Sequence, residues 1–101
     1  MTTTLDEEVE GHEDAAQLAL ALGHPLRLWI LARLAEEECC VGDVVCRCPA
    51  DQATVSRHLA VLRSAGLVTR ETRGRKRIYR LRSHAPTVRL LADLGRLATA
   101  R

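Results

Sequence analysis

Cys39, Cys40, Cys46 and Cys48 fall within ten residues of one another. Thiols at that density ligate soft ions or oxidise in pairs. Thiolates sharing one small ion need sulfurs within about 4 Å of each other, given metal–sulfur bonds near ~2.3 Å. In an unbroken helix, Cys39 and Cys46 would share a face but stand about 10 Å apart along the axis. One ion cannot bridge that distance. Chelation therefore requires the backbone to unwind or bend, or requires ligands from two chains. An all-sulfur set favours thiophilic ions. Three thiolates suit trivalent arsenic or antimony, As(III) or Sb(III); four suit cadmium, lead or zinc (Cd, Pb or Zn); a close pair suits monovalent copper. Structural zinc usually takes cysteine pairs separated by two or more residues, a spacing from which this cluster departs. A disulfide or persulfide switch is the alternative thiol chemistry. Thiol catalysis, as in an arsenate-type reductase, needs an oxyanion-cradling loop beside the nucleophile. Gly42 is the only glycine in the cluster, so the chain is read as no enzyme.

A second set of residues has chemistry of another kind. The net charge of +2 conceals an asymmetry. Residues 1–50 hold three arginines against ten carboxylates, a net −7, and residues 51–101 hold eleven arginines and one lysine against three carboxylates, a net +9. A basic half of this kind reads as a polyanion-binding face. Its side chains fall into two groups. Gln52, Thr54, Ser56, Arg57, His58 and Arg63 lie on one helical stretch, whereas Arg73, Arg75, Lys76 and Arg77 surround Gly74.

The elements that must hold these residues are legible from periodicity and caps. Residues 1–10 read as a flexible leader and 11–101 as a single domain. From Asp14, the stripe Ala15, Leu18, Ala19, Leu22 has helical spacing, with Gly23 as a stop. Pro25 starts a helix that runs to about Glu37, with Leu28, Leu31 and Leu34 inward and Ile30 beside them. A short helix fits Val41 to Arg47, and Pro49 ends it. Asp51 caps a helix over Gln52 to Ser64, whose buried stripe is Val55, Leu59 and Leu62, and Gly66 closes it. Leu67 to Glu71 and Arg77 to Leu81 read as strands joined by a tip at Thr72 to Lys76. The last helix, about Pro86 to Thr99, is apolar on two sides, as expected of one packing on its own domain and on a second subunit.

The whole is mainly α with a small β-hairpin, in the order of a winged helix-turn-helix. Small and polar residues over Gln52 to Ser64 allow close approach to a major groove. Arg57 points away from the buried stripe toward base edges. Arg73 and Arg75, at the tip beside Gly74, are best placed for phosphates or the minor groove. His58 lies one position from the stripe and is read as packing or as a phosphate contact.

Thr54 to Val68, Thr-Val-Ser-Arg-His-Leu-Ala-Val-Leu-Arg-Ser-Ala-Gly-Leu-Val, resembles the recognition-helix segment of the ArsR/SmtB family of metalloregulatory repressors. Arg73-Gly74-Arg75-Lys76 with Ile78-Tyr79-Arg80-Leu81 is similar to that family's wing, and His24-Pro25-Leu26-Arg27-Leu28 to its second helix. The resemblance implies a homodimer joined by its first and last helices. It implies binding to double-stranded operator DNA at an inverted repeat, and release when an inducer binds. The arsenic-responsive branch has a motif of the form Glu-Leu-Cys-Val-Cys-Asp-Leu-Cys. Only Cys40 matches it; the motif's other cysteines fall on Gly42 and Val45. Cys39, Cys40, Cys46 and Cys48 are the candidate ligand set, with As(III) or Sb(III) the first-choice inducer. The family's terminal-helix metal site is not expected, since that region offers only His84 and Asp93.

The interior must be Leu, Val, Ile and Ala, because Phe is absent and Trp29 and Tyr79 are the sole aromatics. With 101 residues, that core is thin and a shared one is the natural remedy, so an obligate dimer is expected. No apolar run approaches the ~20 residues of a membrane span, and the acidic stretch Thr2 to Asp14 is unlike a signal peptide. The expectation is a soluble, cytoplasmic protein without a membrane partner.

Overall fold

The computed structural model describes residues 4–40 and 50–100. They form helices α1 (Thr4–Glu10), α2 (Glu13–Leu22), α3 (Pro25–Glu36), α4 (Gln52–Ser64) and α5 (His84–Thr99). Strands β1 (Cys39–Cys40), β2 (Val68–Arg73) and β3 (Lys76–Leu81) make one antiparallel sheet in the order β1-β3-β2.

Local chemistry sets the boundaries. The imidazole Nδ1 of His24 accepts the Leu26 N–H at 3.0 Å, and Pro25 fills the first helical position, where its missing N–H is no loss. Asp51 Oδ1 accepts the Thr54 N–H at 2.8 Å, capping α4. At the other end, the Leu67 N–H reaches the Leu62 carbonyl and the Gly66 N–H the Arg63 carbonyl, both at 3.0 Å. Gly66 has φ 81, the left-handed conformation this Schellman closure demands.

The core joins Ile30, Leu31 and Leu34 of α3 to Val55, Leu59 and Leu62 of α4, over Val68, Tyr79 and Leu81 of the sheet. Ile30 is fully buried and Leu28 only half-buried, so the inward face of α3 is turned slightly from the expected one. Leu91 and Leu94 of α5 pack on this core, while Leu90 and Leu97 of the same helix are exposed.

Three elements depart from expectation. Residues 4–10 are helical rather than a flexible leader; Glu7, Glu8 and Glu10 are strong helix formers. Cys39 and Cys40, expected ahead of a helix, form a strand whose backbone pairs Cys39 with Tyr79 and Cys40 with Ile78. The hairpin is also longer and tighter than expected. Its strands extend to Arg73 and Lys76, leaving the two-residue turn Gly74-Arg75, with Gly74 at φ 62 as a type II′ turn requires. The helix expected over Val41 to Arg47 lies outside the described residues.

From Glu7 to Leu20 every residue is exposed. Val9 and Leu20 are 62% and 70% exposed, so the stripe on α2 buries only Leu22 within its own chain. Among the described residues, no single helix is long and apolar enough to cross a membrane.

Candidate nucleic-acid interface and thiol strand

Helix α4 buries Val55, Leu59 and Leu62, and that stripe decides what faces outward. Gln52, Ser56, Arg57 and Arg63 are all exposed, and Thr54 is half-buried at the edge of the stripe. Arg57 Nη2 donates to Thr54 Oγ1 at 3.1 Å, so the two expected readers are linked. Asp51 lies beneath them. The Thr54 backbone N–H, then its hydroxyl, then the charge of Arg57 hold the Asp51 carboxyl below its ordinary value of 3.8. The helix start is therefore hydrogen-bonded in series: the cap holds Thr54, and Thr54 holds the guanidinium. Exposed cations and hydroxyls on one face are suited to hydrogen-bonding base edges and phosphates.

His58 is not on this face. It is half-buried, its Nδ1 accepts Arg27 Nε–H at 3.1 Å, and its ring lies 4.4 Å from that of His24. Of its two expected roles, packing or a phosphate contact, these contacts describe the packing one. The position one step from the buried stripe turns His58 toward α3.

The wing divides its charge between its two faces. By register, Arg70, Thr72 and Arg77 share a face with Val68, Tyr79 and Leu81, while Glu71, Arg73, Lys76, Ile78 and Arg80 share the other. Arg75 is exposed in the turn, and Lys76 and Arg77 are exposed beside it. Arg73, expected at the tip, lies at the end of β2 and is engaged within the chain. Its guanidinium pairs with Glu38 at 2.6 Å and with Glu71, while Arg80 lies 3.6 Å from both carboxylates. The hydrogen bond from Arg73 holds the Glu38 carboxyl below its ordinary range, and Glu38 first, then Glu71, raises Arg73.

The pairing of Glu38 with the wing was not read from the sequence. The run Glu36-Glu37-Glu38 reads as the close of a helix, but α3 stops at Glu36, which pairs with Arg33. No local signal marks a partner 35 residues away. The hydrogen bond from Arg27 to His58 was missed for the same reason.

Of the four candidate thiols, Cys39 and Cys40 lie in β1, against the wing's central strand. Cys46 and Cys48 lie outside the described residues. Among the described residues, no group of three or more His, Cys, Asp or Glu side chains is arranged to hold a metal. His84 Nε2 lies 2.9 Å from the Ala35 carbonyl, tying α5 to α3, and Asp93 pairs with Arg96.

Residues 24–70 match the model of the bacterial regulatory protein family named for arsR. The chain is 41% identical over 70 residues to the HTH-type transcriptional repressor SmtB of Mycobacterium tuberculosis, which covers 69% of this chain and 52% of that protein. It thus spans about half the length of that relative. It is 39% identical over 71 residues to the arsenical resistance operon repressor of Escherichia coli K12, covering 69% of this chain and 61% of that protein. Among solved structures, the homodimeric winged helix-turn-helix DNA-binding domain Mb0332 of Mycobacterium bovis superimposes with a TM-score of 0.82 at 28% identity, covering 98% of this chain and 91% of that one.

Proposed function

Because the chain belongs to the arsR family of bacterial regulatory proteins, we propose that it is a dimeric transcriptional repressor, released from operator DNA when its cysteines capture a thiophilic ion. In this reading α4 enters the major groove, with Arg57 and Ser56 toward base edges and Gln52 and Arg63 toward the backbone. Arg75, Lys76 and Arg77 of the wing lie along the neighbouring phosphates. Two copies join through the terminal helices. The exposed apolar side chains Val9, Leu20, Leu90 and Leu97 support that, since a chain with so small a core gains most by covering them.

As(III) or Sb(III) is the first-choice inducer, held by three of Cys39, Cys40, Cys46 and Cys48. Cadmium, lead or zinc is the alternative. One observation carries the regulatory half of this reading: the backbone of Cys39 and Cys40 is hydrogen-bonded to β3, the strand that also builds the wing. An ion drawing those thiolates together pulls on β1, and through it on the DNA-contacting hairpin. Coupling of this kind requires that ion and DNA favour different arrangements of one element.

The test is a titration of operator affinity with arsenite, antimonite, cadmium, lead and zinc. One of them should weaken binding, and Cys40→Ser should remove the response while leaving ion-free DNA binding intact. X-ray absorption of the ion-loaded protein should count three sulfur neighbours for arsenite. Unchanged affinity across all five ions sinks the ion-responsive reading and leaves DNA binding standing.

A further inference from the structure

We propose that Arg27 and His58 form a positioning pair for the recognition helix, and that neutral His58 is needed for α4 to discriminate its operator from other DNA. This rests on the DNA-binding reading above and concerns residues that the reading places away from the DNA.

The apolar stripe of α4 holds the helix against the core, but apolar contact is non-directional and leaves the helix free to roll or slide by small amounts. A hydrogen bond is directional. Arg27 supplies one from the far side of the junction: Nε–H donates to His58 Nδ1 at 3.1 Å, while Nη1 donates to the carbonyls of Ala21 at 3.2 Å and Leu20 at 3.4 Å. A single half-buried guanidinium thus ties the last turn of α2 and the first turn of α3 to the middle of α4. His58 follows Arg57 directly. Any roll of α4 that breaks the bond to Arg27 also swings Arg57 away from the base edge it reads.

The acceptor role of Nδ1 defines the protonation state. Neutral His58 must carry its proton on Nε2, because Nδ1 accepts from Arg27. A second proton at Nδ1 would face a guanidinium N–H, donor against donor. The groups around the ring disfavour it further. His24, the cap of α3, and Arg27 within that helix face it, and Arg57 adjoins it on α4. Burial first, then the charges of His24, Arg27 and Arg57, hold the imidazole below its ordinary value of 6.5. The sign follows. For a base whose folded value is depressed, the favourable arrangement is complete above pH 6.5 and lost as pH falls through the lowered value.

The experiment uses the full chain and a duplex that it enriches from a random-sequence pool, with a scrambled duplex of the same length as reference. Failure to enrich any sequence overturns the DNA-binding reading itself. The ratio of the two affinities tests the positioning pair. In the wild type, this ratio should hold from pH 8 to about 6.5 and fall several-fold as pH drops further through the depressed value. His58→Asn keeps an acceptor near the place of Nδ1 without the titration; it should match the wild-type ratio at pH 8 and stay flat on acidification. Arg27→Met removes all three hydrogen bonds of the guanidinium and should lower the ratio about tenfold at pH 8, the worth of the one charge-assisted bond to His58, with scrambled-duplex affinity unchanged. Equal pH profiles for wild type and His58→Asn overturn the proposal. So does Arg27→Met with reduced thermal stability and an intact ratio. Should Arg27→Met fail to fold, the wild-type and His58→Asn profiles decide alone.

Discussion

The outward face of α4 and the outer face of the wing are both basic, yet they hold their charge in opposite ways. On α4, Arg57 is exposed and hydrogen-bonded to a neutral hydroxyl, and it feels the Asp51 carboxylate only through its charge. On the wing, Arg73 and Arg80 lie against Glu38 and Glu71, so part of the positive charge is cancelled in place. Under the proposed function, the contrast separates two jobs. A side chain that reads bases must be pre-set, because specificity depends on geometry. A side chain that supplies attraction to phosphates can be conditional, because removing its carboxylate changes affinity for all sequences together. Glu38 immediately precedes Cys39, so the carboxylate that silences Arg73 is attached to the thiol strand.

The contrast can be broken most severely at Arg57. Arg57→Ala should cost about ten- to a hundredfold in operator affinity and relax base preference at one position, measured by competition between single-base variants of the enriched duplex. Next in size, Glu38→Gln should raise affinity several-fold for operator and scrambled duplex alike, and steepen the salt dependence by about one ion, read from log affinity against log salt. Arg75→Ala should weaken both duplexes and flatten that slope by about one. Arg73→Ala should do the same to a smaller degree, because its charge is already cancelled; equal effects of the two substitutions would dissolve the distinction drawn here. The smallest effect is on folding. The depressed Asp51 carboxyl contributes stability that is present above its ordinary 3.8 and lost as pH falls through the lowered value. Asp51→Asn keeps a capping oxygen without a titration, so its thermal midpoint should decline less steeply than the wild type's between about pH 4 and pH 2.

How much of this was legible before the structure depended on how local the signal was. Helix α4 has the bounds its residues predict, Gln52 to Ser64, because the cap at Asp51, the stripe Val55-Leu59-Leu62 and the closing Gly66 all act within a few positions. The hairpin was found for the same reason, and only its turn was drawn too loosely. The thiol strand was not found. Two residues carry no period, and β1 exists only because β3 offers an edge about forty positions later in the chain. The pairings of Glu38 with Arg73 and of Arg27 with His58 join residues 35 and 31 apart, and composition carries no trace of either. Caps and stripes describe the parts; the contacts that make one part answer to another are long-range.

Strand β1 is short, but it covers one side of β3, while β2 covers the other. A row of backbone amides and carbonyls left bare on a sheet margin is a template for pairing with foreign chains. If ion capture peels Cys39 and Cys40 away, the amide of Tyr79, which faces β1, exchanges its hydrogen faster while that of Ile78, which faces β2, does not, and the ion-bound form acquires an adhesive margin. A sensor built this way trades solubility for responsiveness, and its colloidal stability in the presence of inducer becomes a property to be measured alongside its grip on DNA.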